Sequence, residues 1–146
     1  MNKELSIPFA LRAIETHQFA ILEENYSEEA QGELLVSVNV GASDEICGVS
    51  IFFEVRFNFN NNPLIILEIE CQFEVEESAY KTFVSEGKEQ IIIPKEFCQH
   101  LGVITVGTAR GVLYEKLKDT EFDFILLPTI DLTVQLSEDI VLTKDK

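Results

Sequence analysis

Apolar and polar residues alternate with period two along most of the first half of the chain. Phe9, Leu11 and Ala13 alternate with Ala10 and Arg12, and Phe19 and Ile21 resume the alternation after the polar stretch Glu15-Thr16-His17-Gln18. This predicts a first strand within Leu5–Leu22, with a bulge or bend at the polar stretch. Glu23–Gly32 is acidic and polar and reads as a solvated loop or a poor helical turn. Leu34, Val36, Val38 and Val40 form one face of a second strand, and Gly41–Gly48 is a connection. Ile51, Phe53, Val55, Phe57 and Phe59 form the apolar face of a third, with Phe52, Glu54, Arg56 and Asn58 behind it. Asn60-Asn61-Asn62-Pro63 is a turn, because Asn tolerates positive φ and Pro cannot donate to a ladder. Ile65, Leu67, Ile69, Cys71, Phe73 and Val75 face one side of a fourth strand, backed by Ile66, Glu68, Glu70, Gln72 and Glu74. Residues opposite one another in an antiparallel pair share a face. Both apolar faces fall on odd numbers, so a hairpin loop of odd length is expected, most simply three residues. That register places Arg56 opposite Glu68 or Glu70.

The pattern changes after residue 77. Glu76–Gln90 has no clean period, and Ile91-Ile92-Ile93 is a short apolar run. Pro94 suits the first turn of a short helix, which Gly102 ends. A second helical run extends from Val103 to Lys118, with a stripe of Val103, Val106, Ala109, Leu113 and Leu117. Gly107 and Gly111 each cost about 1 kcal/mol in helix propensity. They leave room for close packing against a sheet or a partner helix. Phe122–Pro128 is apolar and extended, and Pro128 bars it from being a central strand. The tail from Ile130 to Leu142 alternates weakly and is equally open to helix or strand. Four strands, helix and extended crossover describe one α+β domain over residues 1–146, with helices on one face of an antiparallel sheet.

Composition narrows the partners. The chain has 146 residues, 46% of them hydrophobic, enough for a real core. Lys and Arg number 11 against 26 Asp and Glu, a net charge of −15. That field repels nucleic acid and anionic membranes and favours basic partners. Cys47, Cys71 and Cys98 have no metal or disulfide spacing, which fits a reducing cytoplasmic setting. The first residues lack the apolar core of a signal peptide. No apolar run is long enough for a membrane helix, so no membrane insertion is expected.

Candidate chemistry is sparse. His17 lies in the polar break of the first strand and His100 at a helix end, and both read as ordinary surface or packing residues. No serine sits in a nucleophile elbow, and no phosphate-binding glycine loop occurs. No catalytic residue, cofactor or enzyme activity is expected. The carboxylates Glu68, Glu70, Glu74, Glu76 and Glu77 form either a solvated face or a docking patch for a basic partner. No metal site is expected from them, because carboxylates two apart on one strand rarely supply a full ligand set. Phe52 and Ile66 sit on the polar faces of two strands, and Phe122 and Phe124 lie beside a proline. Either a second layer or a subunit interface buries them, or they line an open groove for apolar segments of other chains.

These elements and several local strings resemble the SecB family of preprotein-export chaperones. Thr108-Ala109-Arg110 resembles the family's motif in its main helix. Phe124-Ile125-Leu126-Leu127-Pro128-Thr129-Ile130-Asp131-Leu132 resembles the crossover that follows. Phe9–Ala20 looks like the opening strand, and Leu67-Glu68-Ile69-Glu70 looks like the strand that carries an acidic docking residue. The resemblance implies a four-stranded antiparallel sheet with a main helix, plus a short one, on one face. It implies homodimers or homotetramers that hold unfolded polypeptide clients in apolar grooves, without cofactor, and pass them to the SecA motor. Client contacts would be Phe52, Ile66, Phe122, Phe124 and Leu126, with Glu68 and Glu70 docking the motor. The chain departs from the family at Gln18 and Leu22, where acidic residues are usual, at Val106-Gly107-Thr108, and in lacking a long closing helix. Those departures leave a second reading open: the same fold dedicated to one partner, such as an antitoxin-type client, or serving as a structural oligomer. A third reading, an enzyme or small-ligand binder on the sheet, rests on the carboxylates alone.

Overall fold

The computed structural model describes residues 7–29 and 31–143. Four long strands, β1 (Phe9–Ile21), β2 (Gly32–Ser43), β3 (Gly48–Phe59) and β4 (Asn62–Val75), form an antiparallel sheet in the order β1-β4-β3-β2. The strand nearest the end of the hairpin series thus sits inside, and β1 crosses over to pair with it. Then come a short helix α1 (Glu77–Lys81), strand β5 (Gln90–Ile93), the main helix α2 (Lys95–Leu117), a single-turn α3 (Leu132–Gln135) and β6 (Ile140–Thr143). This is the expected α+β architecture, with α2 packed across β3 and β4.

The odd-numbered face of β3 and β4 is the core. Ile51, Phe53, Val55, Leu67, Ile69, Phe73 and Val75 are sealed from solvent against Leu101, Ala109, Leu113 and Leu117 of α2. Each of the Val, Ile, Leu and Phe side chains contributes about 1.5–3 kcal/mol by burial. The even-numbered side, here the outer face, carries most of the charge.

The register departs from expectation in one place. Arg56 lies opposite Ile66, and the pairs Glu54–Glu68 and Phe52–Glu70 face each other. The hairpin closes through only two residues, Asn60 and Asn61, both left-handed at φ 54° and 66°. That is the tight turn whose twist suits antiparallel strands. The ladder slips between Phe57 and Asn58, where Leu64 is the extra residue, and this bulge restores the shared odd face. Arg56 instead pairs with Glu54 on its own strand at 3.2 Å. β1 carries two irregularities rather than one, between Leu11 and Ala13 and between Thr16 and Gln18.

Helix α2 is continuous, so the expected break at Gly102 does not occur. Gly102 is buried inside it, and a Cβ there would lie 3.0 Å from a Leu132 methyl. The glycine serves close approach to α3 rather than termination. By contrast, Gly107 and Gly111 face outward with nothing within 4 Å of a built Cβ. The ambiguous tail is both helix and strand. Asp131 caps α3 by accepting from the Thr133 amide at 3.0 Å, and β6 pairs with β5. Asp139 accepts from the Lys95 amide at 2.9 Å, placing a carboxylate at the α2 N-terminus, where backbone N–H groups lack partners. Gln99 donates to the Leu136 carbonyl at 2.8 Å.

The crossover after α2 is fastened by Arg110. Its Nε donates to the Leu127 carbonyl at 3.0 Å and an Nη to the Pro128 carbonyl at 2.9 Å. Pro128 itself has no N–H, so the crossover relies on its carbonyls for attachment.

Two outcomes follow from this geometry. Asn60→Val and Asn61→Val should each lower stability by about 1–2 kcal/mol, since a β-branched residue is strained at positive φ. Glycine at either position should not, and urea unfolding distinguishes the two. Arg110→Lys should keep the charge yet lose the two-carbonyl fork, costing about 1–3 kcal/mol. Limited proteolysis should then cut faster between Phe122 and Pro128; an unchanged cleavage rate would refute the clamp.

Candidate functional site

The crossover turns its side chains two ways. Phe122, Ile125 and Leu127 are buried, whereas Phe124 and Leu126 are 59% and 61% exposed. A turn held by Asp123 N–H to the Thr120 carbonyl and Ile125 N–H to the Phe122 carbonyl sets this phase. Extended backbone from Ile125 onward then alternates in and out. Phe122, expected among the exposed contacts, is therefore a core residue. Fastened inside by three apolar anchors and by Arg110, the segment presents Phe124 and Leu126 to solvent without freedom to fold them in.

Tyr26 completes the surface. Its ring lies edge-on to Phe59 and Phe122, with centroids 5.4 Å away in each case, and 6.4 Å from Phe124. Tyr26 lies in the expected loop after a short helical turn, but the acidic run around it gives no sign that its ring packs against distant aromatic residues. The Lys116 ammonium sits 5.1 Å from the Phe19 ring centroid, a cation–π contact. Further apolar exposure comes from Val103 and Tyr114 on α2 and from Val134. Val103, Gly107, Gly111 and Tyr114 mark one row along the helix, uncovered among the described residues.

The outer face of the sheet holds the other expected contacts. Phe52 is half-buried, its ring 6.2 Å from that of His17 and inclined by 24°. Ile66 is buried, contrary to the expectation of an exposed side chain. It sits on a central strand between Ala20 and Arg56.

The carboxylates do not act as one patch. Glu74 pairs with Arg12 at 2.8 Å, Glu76 caps α1 by accepting from the Ala79 amide at 3.0 Å, and Glu77 meets Lys81 at 3.3 Å. Glu68 is half-buried and faces Gln18 and Glu54. Glu70 is only 8% exposed and lies 2.8 Å from Nε2 of His17. Burial pushes its carboxyl up, but hydrogen bonds from His17, Ser50 and Gln72 outweigh that and hold it below the ordinary value. The same hydrogen bond raises the His17 imidazole, against partial burial and with help from the charges of Glu70, Glu15 and Glu68. Glu70, one of the two carboxylates expected to dock a partner, is thus hydrogen-bonded within the chain.

The remaining candidates show ordinary packing. His100 is exposed, with its ring edge-on to Phe9 at 5.6 Å. Burial, with the charge of Asp139, pushes the Cys98 thiol up to about 12, so it stays protonated at neutral pH. A shallow cleft of 680 Å³ between the start of β1 and the β2–β3 turn is lined by Phe9, Ile46, Cys47 and Val75 and by several carboxylates. Among the described residues, no helix is long and apolar enough to cross a membrane.

No family model matches the chain, and no curated protein matches it. Among solved structures, it is similar to the SecB-like chaperone Rv1957 of Mycobacterium tuberculosis, determined in complex with a ChAD peptide from the Rv1956 HigA1 antitoxin. The likeness covers 84% of this chain and 90% of that one, with a TM-score of 0.51 and 12% sequence identity. At that identity the shared feature is architecture. The four-stranded antiparallel sheet with its main helix on one face is a SecB-like fold.

Proposed function

We propose that the chain works by binding rather than catalysis, as a chaperone-like protein that holds extended apolar segments of other polypeptides. The observation that carries this reading is the crossover, which fixes Phe124 and Leu126 outward while its alternate residues are anchored in the core. Apolar surface held out of the core is stabilised when a partner covers it, at about 25 cal/mol per Å². Tyr26 extends that surface with a ring that is rigid and able to donate a hydrogen bond. The charge of −15 favours basic, non-native segments and speeds their encounter. The SecB-like fold supports the same reading. Uncovered Val103, Gly107, Gly111 and Tyr114 on α2 favour a homodimer or homotetramer in which helices meet. A cytoplasmic setting fits the unpaired cysteines.

Within this reading, clients bound for export and docking of the SecA motor through Glu68 form one branch. Service to a single dedicated partner forms the other. One observation favours the second: the structural neighbour was determined with an antitoxin peptide.

Suppression of aggregation of a chemically unfolded model protein, without nucleotide, tests the common core. The wild-type chain should suppress aggregation at near-stoichiometric ratios. Phe124→Ser combined with Leu126→Ser should weaken client binding about tenfold or more, equivalent to about 1.4 kcal/mol, and leave the fold intact. Phe122→Ser should unfold the chain instead. Unchanged suppression by the folded double variant would remove the crossover as the binding surface.

A further inference from the structure

Three metal-ligating side chains converge on the outer face of the sheet, away from the crossover. Glu15 and Glu70 lie directly opposite each other on β1 and β4. The ladder slips between Thr16 and Gln18, so His17 has no opposing residue, and its imidazole swings beside Glu70. One donor atom from each of the three lies within 4.8 Å of the others. Carboxylates of one strand alone do not make such a set. The cross-strand register and the bulge together add the imidazole.

We propose that Glu15, His17 and Glu70 form a surface site for a divalent transition-metal ion of the zinc class. Each ligand is held by a neighbour, as metal ligands usually are. The Gln72 amide donates to Glu15 at 3.1 Å, Ser50 hydrogen-bonds Glu70, and the His17 ring lies over Phe52. The electrostatics point the same way. Two like charges placed directly opposite are destabilising, and Glu68 adds a third to this stretch of β4. His17 offsets at most one of them, whereas a divalent ion offsets two. Zinc binds carboxylate oxygen and imidazole nitrogen at about 2.0–2.2 Å, which calls for donor separations of roughly 3–3.5 Å. Rotations of the exposed Glu15 and His17 side chains toward the buried Glu70 carboxylate supply that contraction. An imidazole among the donors selects zinc or nickel over magnesium or calcium. Binding exchanges the His17–Glu70 hydrogen bond for two bonds to the ion; a protonated imidazole releases one proton, and a neutral one keeps its single proton on the other ring nitrogen. Three protein ligands leave a fourth position for water or for a side chain of a bound partner.

The test is calorimetric titration of the chelator-stripped full-length chain with Zn²⁺ alone at neutral pH. One saturable ion per chain is expected. His17→Ala and Glu70→Gln should each weaken binding at least tenfold, and Glu15→Gln should weaken it as well. Cys47→Ser, which removes the one partly exposed thiol, should leave it unchanged, and Mg²⁺ should not compete. Absence of saturable zinc uptake, wild-type affinity in the His17 variant, or loss of binding on Cys47→Ser would each overturn the site. His17 is exposed, so its variant keeps the fold and decides the matter even where Glu70→Gln does not fold. The readout is independent of client holding, so the two fail separately.

Discussion

The structure depends on covering one face of one hairpin. β3 and β4 present a continuous wall of Ile, Phe, Val and Leu on their odd-numbered side, and an antiparallel sheet with such a face needs a second layer. Helix α2 supplies it. Its burial of Leu101, Ala109, Leu113 and Leu117 sets where the helix ends, and therefore where the chain must run back. The tail is then drawn in behind the helix. Asp139 meets the first turn of α2, Gln99 reaches the Leu136 carbonyl, and Leu132 settles against Gly102. None of these attachments is strong alone, but together they close the helix-side layer.

The exposed aromatic surface follows from the same closure. The crossover cannot bury every apolar residue, because an extended segment lying on a core turns alternate side chains outward. Arg110 ties it down through the carbonyls of Leu127 and Pro128, which stops it from rolling over. Phe124 and Leu126 are thus displayed by construction. The charge sits on the outer face of the sheet, opposite the layer that carries the crossover and its exposed Phe124 and Leu126. The two faces of the sheet divide the labour: one packs the helix, the other carries the charge, the His17–Glu70 pair and the cluster around it.

The period-two alternation made all four long strands, the shared odd-numbered face of β3 and β4 and the position of the hairpin legible, since side-chain direction along a strand is purely local; in β1 the bulge after Leu11 puts Ala13 opposite Gln72 instead of on the core face. The clamp of Arg110 on the Leu127 and Pro128 carbonyls was not legible, because the two strings lie far apart in the chain and entered only as marks of a family resemblance. The register was only half legible. Parity follows from the faces, but the choice between a three-residue loop and a two-residue loop with a bulge at Leu64 is made by left-handed Asn60 and Asn61 together with Pro63. Gly102 misled because an isolated glycine looks the same whether it ends a helix or admits a neighbour.

Burial lay beyond reading from local pattern. Phe122 and Phe124 are two residues apart in one apolar string, yet one is core and the other solvent, because a turn between them resets the phase. Ile66 looks exposed until β1 is placed beside β4, and the loop residue Tyr26 looks solvated until Phe59 and Phe122 arrive from distant positions. Glu15, His17 and Glu70 meet only through the β1–β4 ladder and its bulge, so neither the His17–Glu70 hydrogen bond nor the proximity of Glu15 to that pair is written in any short stretch. Alternation along the chain decides which way a side chain points; contacts between residues far apart in the chain decide what it points at, and function here resides in the second.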